Sequence, residues 1–432
     1  MRAQPAGNRS VSASALRICL LSYRGNPRSG GQGIYVRLLS RALVELGHAV
    51  DVWSGPPYPE LLPGVDLVRV PSLDLWNDRA LLRRPSLREL RDPINLSEYT
   101  RTVLGGFPEP LTFTRRVARR FARERMRPRY DIVHDNQSLG PGLLALRSQV
   151  PVVATIHHPV TVDRRIALAE ERDWVKRLGL RRWYSFLRTQ RAVSRRLDRV
   201  LTVSESSARD LEREYGIDST RLRVVGNGID VDVFRPMPGI VRRENLLVTT
   251  LSADTPLKGF VYLLEAMARL REIHPALELR VVGQLRERSP RARALERLGL
   301  AGAVSFTGRV TADAIARLYA EATVAVVPSL YEGFGFPAGE AMACGVPVVA
   351  TCAGALPEVV GRGDKTGVLV PPADARALAD AIAGLLASSE RRRAIGMAGY
   401  ARILSQFTWR RAAERTVDSY RESIAERARL AC

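Results

Sequence analysis

The stretch ATVAVVPSLYEGFGFPAGEAMACGVPVVAT, Ala322 to Thr351, carries the pattern that decides how this chain folds. An apolar, β-branched run (ATVAVVP) enters a turn of glycine, phenylalanine and proline, a helix-favouring run (AGEAMACG) follows, and a second β-branched run (VPVVAT) closes the unit. Strand, loop, helix and strand in that order make a parallel βαβ unit. Within it, Phe334, Gly335 and Phe336 can turn their N–H groups toward an anion, and Pro337 suits the first helical position. Glu340 falls in the first helical turn and Glu332 stays on the loop. The two acids therefore divide their roles: Glu332 can reach a ligand's reacting end, and Glu340 can accept hydrogen bonds from a pair of sugar hydroxyls.

Outward from this unit, the same rhythm runs through both halves of the chain. LRICLLSY, AVDVW, YDIVHD, PVVATI, RVLTVS and LRVVGN alternate with helical patterns in the first half. A proline-broken segment, Phe234 to Arg243, interrupts them. LLVTTLS, LELRVVG, AVSFTG, ATVAVVP and VPVVAT then resume the rhythm. The reading is an α/β protein of two Rossmann-like, doubly wound domains, and a length of 432 residues exceeds what one core usually organises.

The net charge is +21, of which +15 falls in residues 1–235, where 40 Lys+Arg face 25 Asp+Glu. Nearly all the basic residues are arginine; Lys176, Lys258 and Lys365 are the only lysines. Such charge suits an acidic partner, but no nucleic-acid module is recognisable, so nucleic acid is not an expected partner. The basicity concentrates in residues 111–127 and 174–197, both readable as amphipathic helices. Phe113, Val117 and Phe121 line one face of the first at i, i+4, i+8; the second adds Trp174, Trp183, Tyr184 and Phe186. Either could lie on an anionic membrane surface, and either could be an ordinary helix packing its stripe on the core. The four cysteines have no metal-type spacing, and no apolar run reaches eighteen residues. The expectation is a cytoplasmic protein, peripheral at most on the inner face of the cell membrane, with residues 1–15 an N-terminal tail.

Three further segments bear chemistry. In RGNPRSGGQGIYV a strand ends at Tyr23, Gly30, Gly31 and Gly33 form a glycine-rich loop, and a helix opens near Ile34. Glycines there permit close approach of backbone to phosphate, although the loop does not complete the dinucleotide fingerprint, which disfavours a nicotinamide-dependent oxidoreductase. In ATIHHP, His157 and His158 follow directly on a strand, where a doubly wound sheet keeps its functional groups. In LSADTPLKGF, Lys258 ends a loop before a helix, a compact ammonium in a chain that otherwise writes arginine. Asp230 and Asp232 form an Asp-x-Asp after Asn227-Gly228, where aspartate serves turn chemistry as readily as metal binding, and no metal is expected.

Together these residues resemble the retaining glycosyltransferases of family four, which have the two-domain GT-B fold. SLYEGFGFPAGEAMACGVPVVAT is similar to that family's Glu-x7-Glu signature, and SGGQGIYV, TIHHP, VVGNGIDVDVFRP, LKGF and SFTGRV resemble its other landmarks in the same order. The resemblance implies an acceptor domain over 16–235, a nucleotide-sugar domain over 236–408, a cleft between them, and a C-terminal helix, 409–428, crossing back to the first domain. It implies transfer of a hexosyl group, with retention and without a metal or other cofactor, from a nucleotide-diphosphate sugar to a hydroxyl of an acceptor glycan or of a lipid-linked or phosphorylated small molecule. By position, Glu340 would hold the ribose, Glu332 and the Gly333, Phe334, Gly335 and Phe336 backbone the donor sugar and its phosphates, and Gly31 and Gly33 would approach the diphosphate. Lys258 would bind phosphate, His157 would stand near the transferred sugar, and the Gly308 to Val310 segment, with Arg309, would line the base.

Two positions depart from the family pattern. Ala253 stands where the family usually places an arginine, and losing one preorganised cation would cost a few kcal/mol of transition-state stabilisation. Arg286 and Arg309 are the nearest substitutes, and a catalytically impaired GT-B binding protein is the alternative reading. Gly339 stands where a larger residue usually precedes the second glutamate.

Overall fold

The computed structural model describes residues 15–25, 31–75, 83–124, 129–251, 255–287 and 289–431. Ala253, Gly30, the Met1–Ser14 tail and the Arg125–Arg127 end of the first basic stretch lie outside the described residues.

Seven strands form the first sheet: β1 (Arg17–Ser22), β2 (Ala49–Ser54), β3 (Val65–Arg69), β4 (Ile132–Asn136), β5 (Val152–Ile156), β6 (Arg199–Thr202) and β7 (Leu222–Val224). Their order is β3-β2-β1-β4-β5-β6-β7, and every pairing is parallel, with Ile18 opposite both Val50 and Ile132. The second sheet holds β8 (Leu246–Leu251), β9 (Glu278–Gly283), β10 (Val304–Phe306), β11 (Val324–Val327), β12 (Val348–Thr351) and β13 (Val368–Val370), in the order β10-β9-β8-β11-β12-β13, again all parallel. Helices cover both faces of each sheet, which is why the central strands read as continuous apolar runs: Ile18 to Leu21 and Val324 to Val327 are all buried. Strand order reverses between β1 and β4 and between β8 and β11. In doubly wound sheets ligands bind outside the carboxyl ends of the strands at that switch.

The last helix, Trp409–Ala431, returns to the first domain and packs Trp409, Ala413, Val417 and Tyr420 against Tyr35 and Leu39 of the helix Gly31–Glu45. The chain crosses between domains twice at one place, where Ile229 pairs with Thr408 and the Ile229 N–H donates to the Phe407 carbonyl at 2.7 Å. Gly228 is required there, because a Cβ would come within 2.3 Å of the Trp409 nitrogen.

The first basic stretch forms the helix Glu109–Arg123, and Phe113, Val117 and Phe121 sit in the core of the first domain. This corrects the membrane-surface expectation for residues 111–127, since the apolar face that would enter a bilayer is already buried. Arg116, on the same helix, is 6% exposed at its side chain and is paired with Glu98, 1% exposed, at 2.5 Å. The helix Trp174–Trp183 differs: Trp174, Val175 and Leu178 are exposed. No described helix is long and apolar enough to cross a membrane.

Candidate active site

The C-terminal ends of both sheets meet, and the residues singled out from sequence cluster around the two switch points. From the second domain, the loop after β8 supplies Lys258, in a short 3-10 turn (Pro256–Lys258) closed by Gly259 at φ +60. A Cβ on Gly259 would lie 1.8 Å from the Pro328 carbonyl oxygen, so glycine is what lets this loop lie against the loop after β11. On that second loop Glu332 meets Lys258, Nζ to Oε1 2.7 Å, and the same oxygen accepts from Ser329 Oγ at 2.8 Å. Both partners are largely withdrawn from solvent, with side chains 19% and 11% exposed.

The turn Gly333–Phe336 leads into the helix Phe336–Ala343, whose N-cap, Gly335, has φ +104. The helix opens at Phe336, so Pro337 takes its second position, one later than expected from sequence. No side chain caps this end, and its first N–H groups are available to an anion. Glu340, one turn in, is half-buried with no hydrogen-bond partner among the described residues. Burial, with a smaller contribution from Asp230, raises its pKa from 4.5 to about 7. Gly339 beside it packs on the crossing segment: a Cβ there would come 2.6 Å from Ile229 Cδ1, which accounts for the missing larger residue.

From the first domain, the helix near the glycine-rich loop begins at Gly31, three residues before the expected Ile34. Gly33 is buried, and a Cβ on Gly31 would touch the Phe336 ring at 4.0 Å, so this helix N-terminus faces the turn after Glu332. His157 and His158 follow β5 and meet the same turn from the other side, since a Cβ on Gly333 would lie 2.7 Å from the His157 carbonyl oxygen. Ser204 Oγ donates to the Gly333 carbonyl at 2.8 Å, and Glu358 accepts the backbone N–H groups of Glu205 and Ser206, each at 2.8 Å. The turn is therefore held by both domains.

His157 is fixed by residues that sequence reading passed over. Its Nε2 lies 2.7 Å from Asn136 Oδ1, its backbone N–H donates to Gln137 Oε1 at 2.8 Å, and the Tyr35 ring meets it edge-on at 4.6 Å. Asn136 Nδ2 donates to the Gln32 carbonyl, which leaves Oδ1 as the acceptor toward His157. Nε2 of His157 then carries the proton and Nδ1 is a free acceptor. Burial, with His158 adding repulsion, lowers the His157 pKa to about 3, so the ring is neutral near pH 7. The only available signal for Asn136 and Gln137 was their place at the end of β4, at the switch point.

The remaining candidates are outside this cluster. Arg309 is exposed beside the Gly283–Gly308 bridge with no ion-pair partner among the described residues, whereas Arg286 already has one or more contacts. Asp232 pairs with Arg41 at 3.2 Å and the Asp230 carbonyl accepts from Val233, which is turn chemistry; burial, then Asp232, raises the Asp230 pKa.

Comparison with known proteins agrees with this geometry. Residues 29–233 match the family model described as Glycosyltransferase Family 4, and residues 239–402 match Glycosyl transferases group 1. The chain is 45% identical over 412 residues to the MMP alpha-(1->4)-mannosyltransferase of Mycolicibacterium hassiacum, covering 95% of this chain and 99% of the relative. It is 30% identical to the D-inositol 3-phosphate glycosyltransferase of Kribbella flavida, covering 96% and 95%. Among solved structures, sucrose-phosphate synthase from Thermosynechococcus elongatus superposes with TM-score 0.72 at 27% identity, over 95% of this chain and all of that one. The Anabaena protein HepE, solved with UDP-glucose, shares the fold at TM-score 0.65 and 19% identity, over 94% of this chain and 100% of that one. With its two parallel Rossmann-like sheets and the Glu332-to-Glu340 loop at their junction, the chain belongs to glycosyltransferase family 4 and has the GT-B fold.

Proposed function

We propose that this glycosyltransferase moves a mannosyl group from a nucleotide-diphosphate mannose to a hydroxyl of an acceptor glycan, forming an α-(1→4) linkage with retention and without a metal. The sugar and linkage are supported by the name of the relative, an alpha-(1->4)-mannosyltransferase at 45% identity across nearly the whole of both chains. The site chemistry rests on one observation: Lys258 and Glu332 form an ion pair under a turn that both domains hold against His157. In this reading Lys258 and the N–H groups of Phe334, Gly335 and Phe336 receive the donor's diphosphate, where negative charge grows as the glycosidic bond breaks. Gly31 and Gly33 bring a second helix N-terminus to the same anion. Glu340 accepts two ribose hydroxyls, and its having no hydrogen-bond partner among the described residues supports that role. Arg309 lines the base.

Retention is supported by the state of Glu332. Its Oε1 is committed to Lys258 and Ser329, which makes it a poor nucleophile toward the anomeric carbon. The acceptor hydroxyl would instead attack from the face the diphosphate leaves. Its proton would pass to a departing phosphate oxygen, while Nδ1 of His157 accepts a hydroxyl of the transferred sugar. Nothing favours the impaired binding protein. The exposed Trp174, Val175 and Leu178, set among Lys176, Arg177, Arg181 and Arg182, support contact with an anionic inner-membrane surface through that helix.

Purified protein incubated with GDP- and UDP-linked mannose and glucose, with mannosides as acceptors and with EDTA in parallel, tests the whole reading. The expected product is an α-(1→4)-mannoside formed equally with and without chelator, its anomeric configuration read by NMR. A β-linked product would end the retaining mechanism, and transfer of glucose alone would end the mannosyl assignment.

A further inference from the structure

The first domain has a pocket of about 190 Å³ lined by Leu104, Phe107 and Phe186 and by Arg101 and Arg182. We propose that it is an acceptor subsite for an apolar aglycone ending in a carboxylate or phosphate. The inference rests on the transferase reading above and extends it to the part of the acceptor distant from the reacting hydroxyl.

Its walls are aromatic and rigid. Phe107 stacks on Trp183 at 5.0 Å and 25°, and Phe186 meets Phe107 edge-on at 5.6 Å. Leu104 is 58% exposed, so apolar surface is available to a ligand. Gly106 lets the ends of the helices Pro93–Val103 and Trp174–Trp183 approach, since a Cβ there would lie 3.1 Å from the Arg101 carbonyl oxygen and 4.0 Å from that of Arg182. A pocket of this volume is smaller than a whole-ligand site and takes about one ring.

The arginine charge there is uncompensated. Neighbouring arginines have carboxylates: Arg24 with Glu109, Arg116 with Glu98, Arg119 with Asp92. Arg101 and Arg182 have no ion-pair partner among the described residues, and no carboxylate lines the pocket. Two guanidinium groups lining a pocket with aromatic walls are complementary to an acid on an apolar stem.

The pocket is also joined to the reacting centre. Phe186 and Leu111 share a small cluster with Val160, three residues after His157. On the next helix, Leu187–Ser194, Gln190 donates to the carbonyl of Gln137, whose side chain accepts from the His157 N–H and donates to the His158 carbonyl. An aglycone seated in the pocket is thus held on the same frame that positions His157.

Transfer of mannose to methyl, phenyl and 4-carboxyphenyl α-mannosides, with calorimetric binding of the last in the absence of donor, tests this. KM should fall several-fold from methyl to phenyl and about tenfold more with the carboxylate. In R101Q/R182Q the carboxyphenyl-to-phenyl ratio should collapse to one. Leu104→Glu, at an exposed position that folding does not need, should reverse the order by repulsion. Equal KM for the three aglycones, or an order kept by both variants, overturns the subsite while leaving the transferase reading intact. Calorimetric binding that is lost in R101Q/R182Q, with no transfer to any mannoside, upholds the subsite and ends the mannosyl assignment. Variants that lose only binding to anionic phosphatidylglycerol vesicles would make this face a bilayer contact and overturn the proposal.

Discussion

Lys258 Nζ lies 2.7 Å from Glu332 Oε1, joining the loops after β8 and β11 across the switch point of the second sheet. Their 74-residue separation in sequence is closed by the parallel pairing of those two strands. If this ammonium stabilises the leaving diphosphate, Lys258→Ala should lower kcat roughly 100- to 1,000-fold with a smaller change in KM. Steady-state kinetics with saturating acceptor check it, and wild-type kcat would remove the role. The variant should also melt lower, because Glu332 is left in a largely desolvated place without its cation.

Glu340 makes the free protein's donor affinity depend on pH. Its pKa near 7 means the carboxylate is half protonated at neutrality, and accepting ribose hydroxyls needs the ionised form. Donor binding should therefore weaken progressively below pH 7 and level off above pH 8, and Glu340→Gln should weaken it sharply above pH 8, remove the pH dependence and differ less from wild type as pH falls. Stability runs the other way. A carboxyl whose folded pKa exceeds its unfolded value contributes stability below the unfolded pKa, near pH 4.5, that is lost as pH rises through 7. Glu340→Gln should thus raise the unfolding free energy at pH 8, on the order of 2 kcal/mol and visible as a higher Tm, and leave it nearly unchanged near pH 4.5. Equal effects at both pH values would contradict the burial argument.

Asn136 acts on the reaction through His157. Asn136→Leu removes the acceptor that sets the His157 tautomer, and a misplaced imidazole should reduce kcat about tenfold to a hundredfold while donor affinity holds. Because burial holds His157 neutral down to about pH 3, the wild-type kcat profile should show no step from this ring between pH 5 and 8. Proton-detected NMR of the ring nitrogens would report the tautomer directly.

Gly339→Ala would push a methyl group to within 2.6 Å of Ile229 Cδ1, at the place where the chain crosses between domains. Overpacking of this kind costs about 1–3 kcal/mol. Differential scanning calorimetry should show the loss, and adding Ile229→Val, which deletes the clashing carbon, should restore most of it. A stable Gly339→Ala would mean that the Ile229 side chain turns aside without cost.

Arg116→Met should destabilise the first domain by about 3–5 kcal/mol, since it strands the buried Glu98 carboxylate. Arg116 Nη2 also donates to Asn95 Oδ1 at 2.6 Å, and the Thr112 hydroxyl donates to Glu98, so the network ties two helices together. Replacing both Glu98 and Arg116 with methionine should recover much of the loss in chemical denaturation. Equal instability of single and double variants would assign the effect to packing alone.

Eleven of the thirteen strands among the described residues were legible as apolar runs because both faces of a parallel sheet are covered, which writes β-branched residues without alternation. β3 and β13 were missed. β3 is only partly buried along VDLVR, where Asp66 and Arg69 break the apolar run; β13 is no shorter than β7 and β10, which were read, so its length does not account for the miss. The site loops were legible where backbone geometry demands particular residues, as at Gly335 and Gly259, whose positive φ values admit glycine readily. Asn136 and Gln137 carry no such demand. Their importance comes from a hydrogen bond across twenty-one residues or so, which spacing along the chain does not encode.

The stripe Phe113, Val117 and Phe121 shows the same division. Its helical period was plain, but a bilayer and a protein core offer an apolar stripe the same solvent, and only packing chose the core. Local periodicity, turn chemistry and spacing were enough to read the two parallel sheets, the acids on either side of the Gly333–Phe336 turn and the lysine before the helix Phe260–Ile273. Folding brought Lys258 to Glu332, buried His157 as a neutral ring beside Asn136, and left Glu340 with no partner among the described residues. Each of those depends on burial and on partners brought from distant strands, and desolvation is a property of the folded surroundings rather than of any stretch of chain.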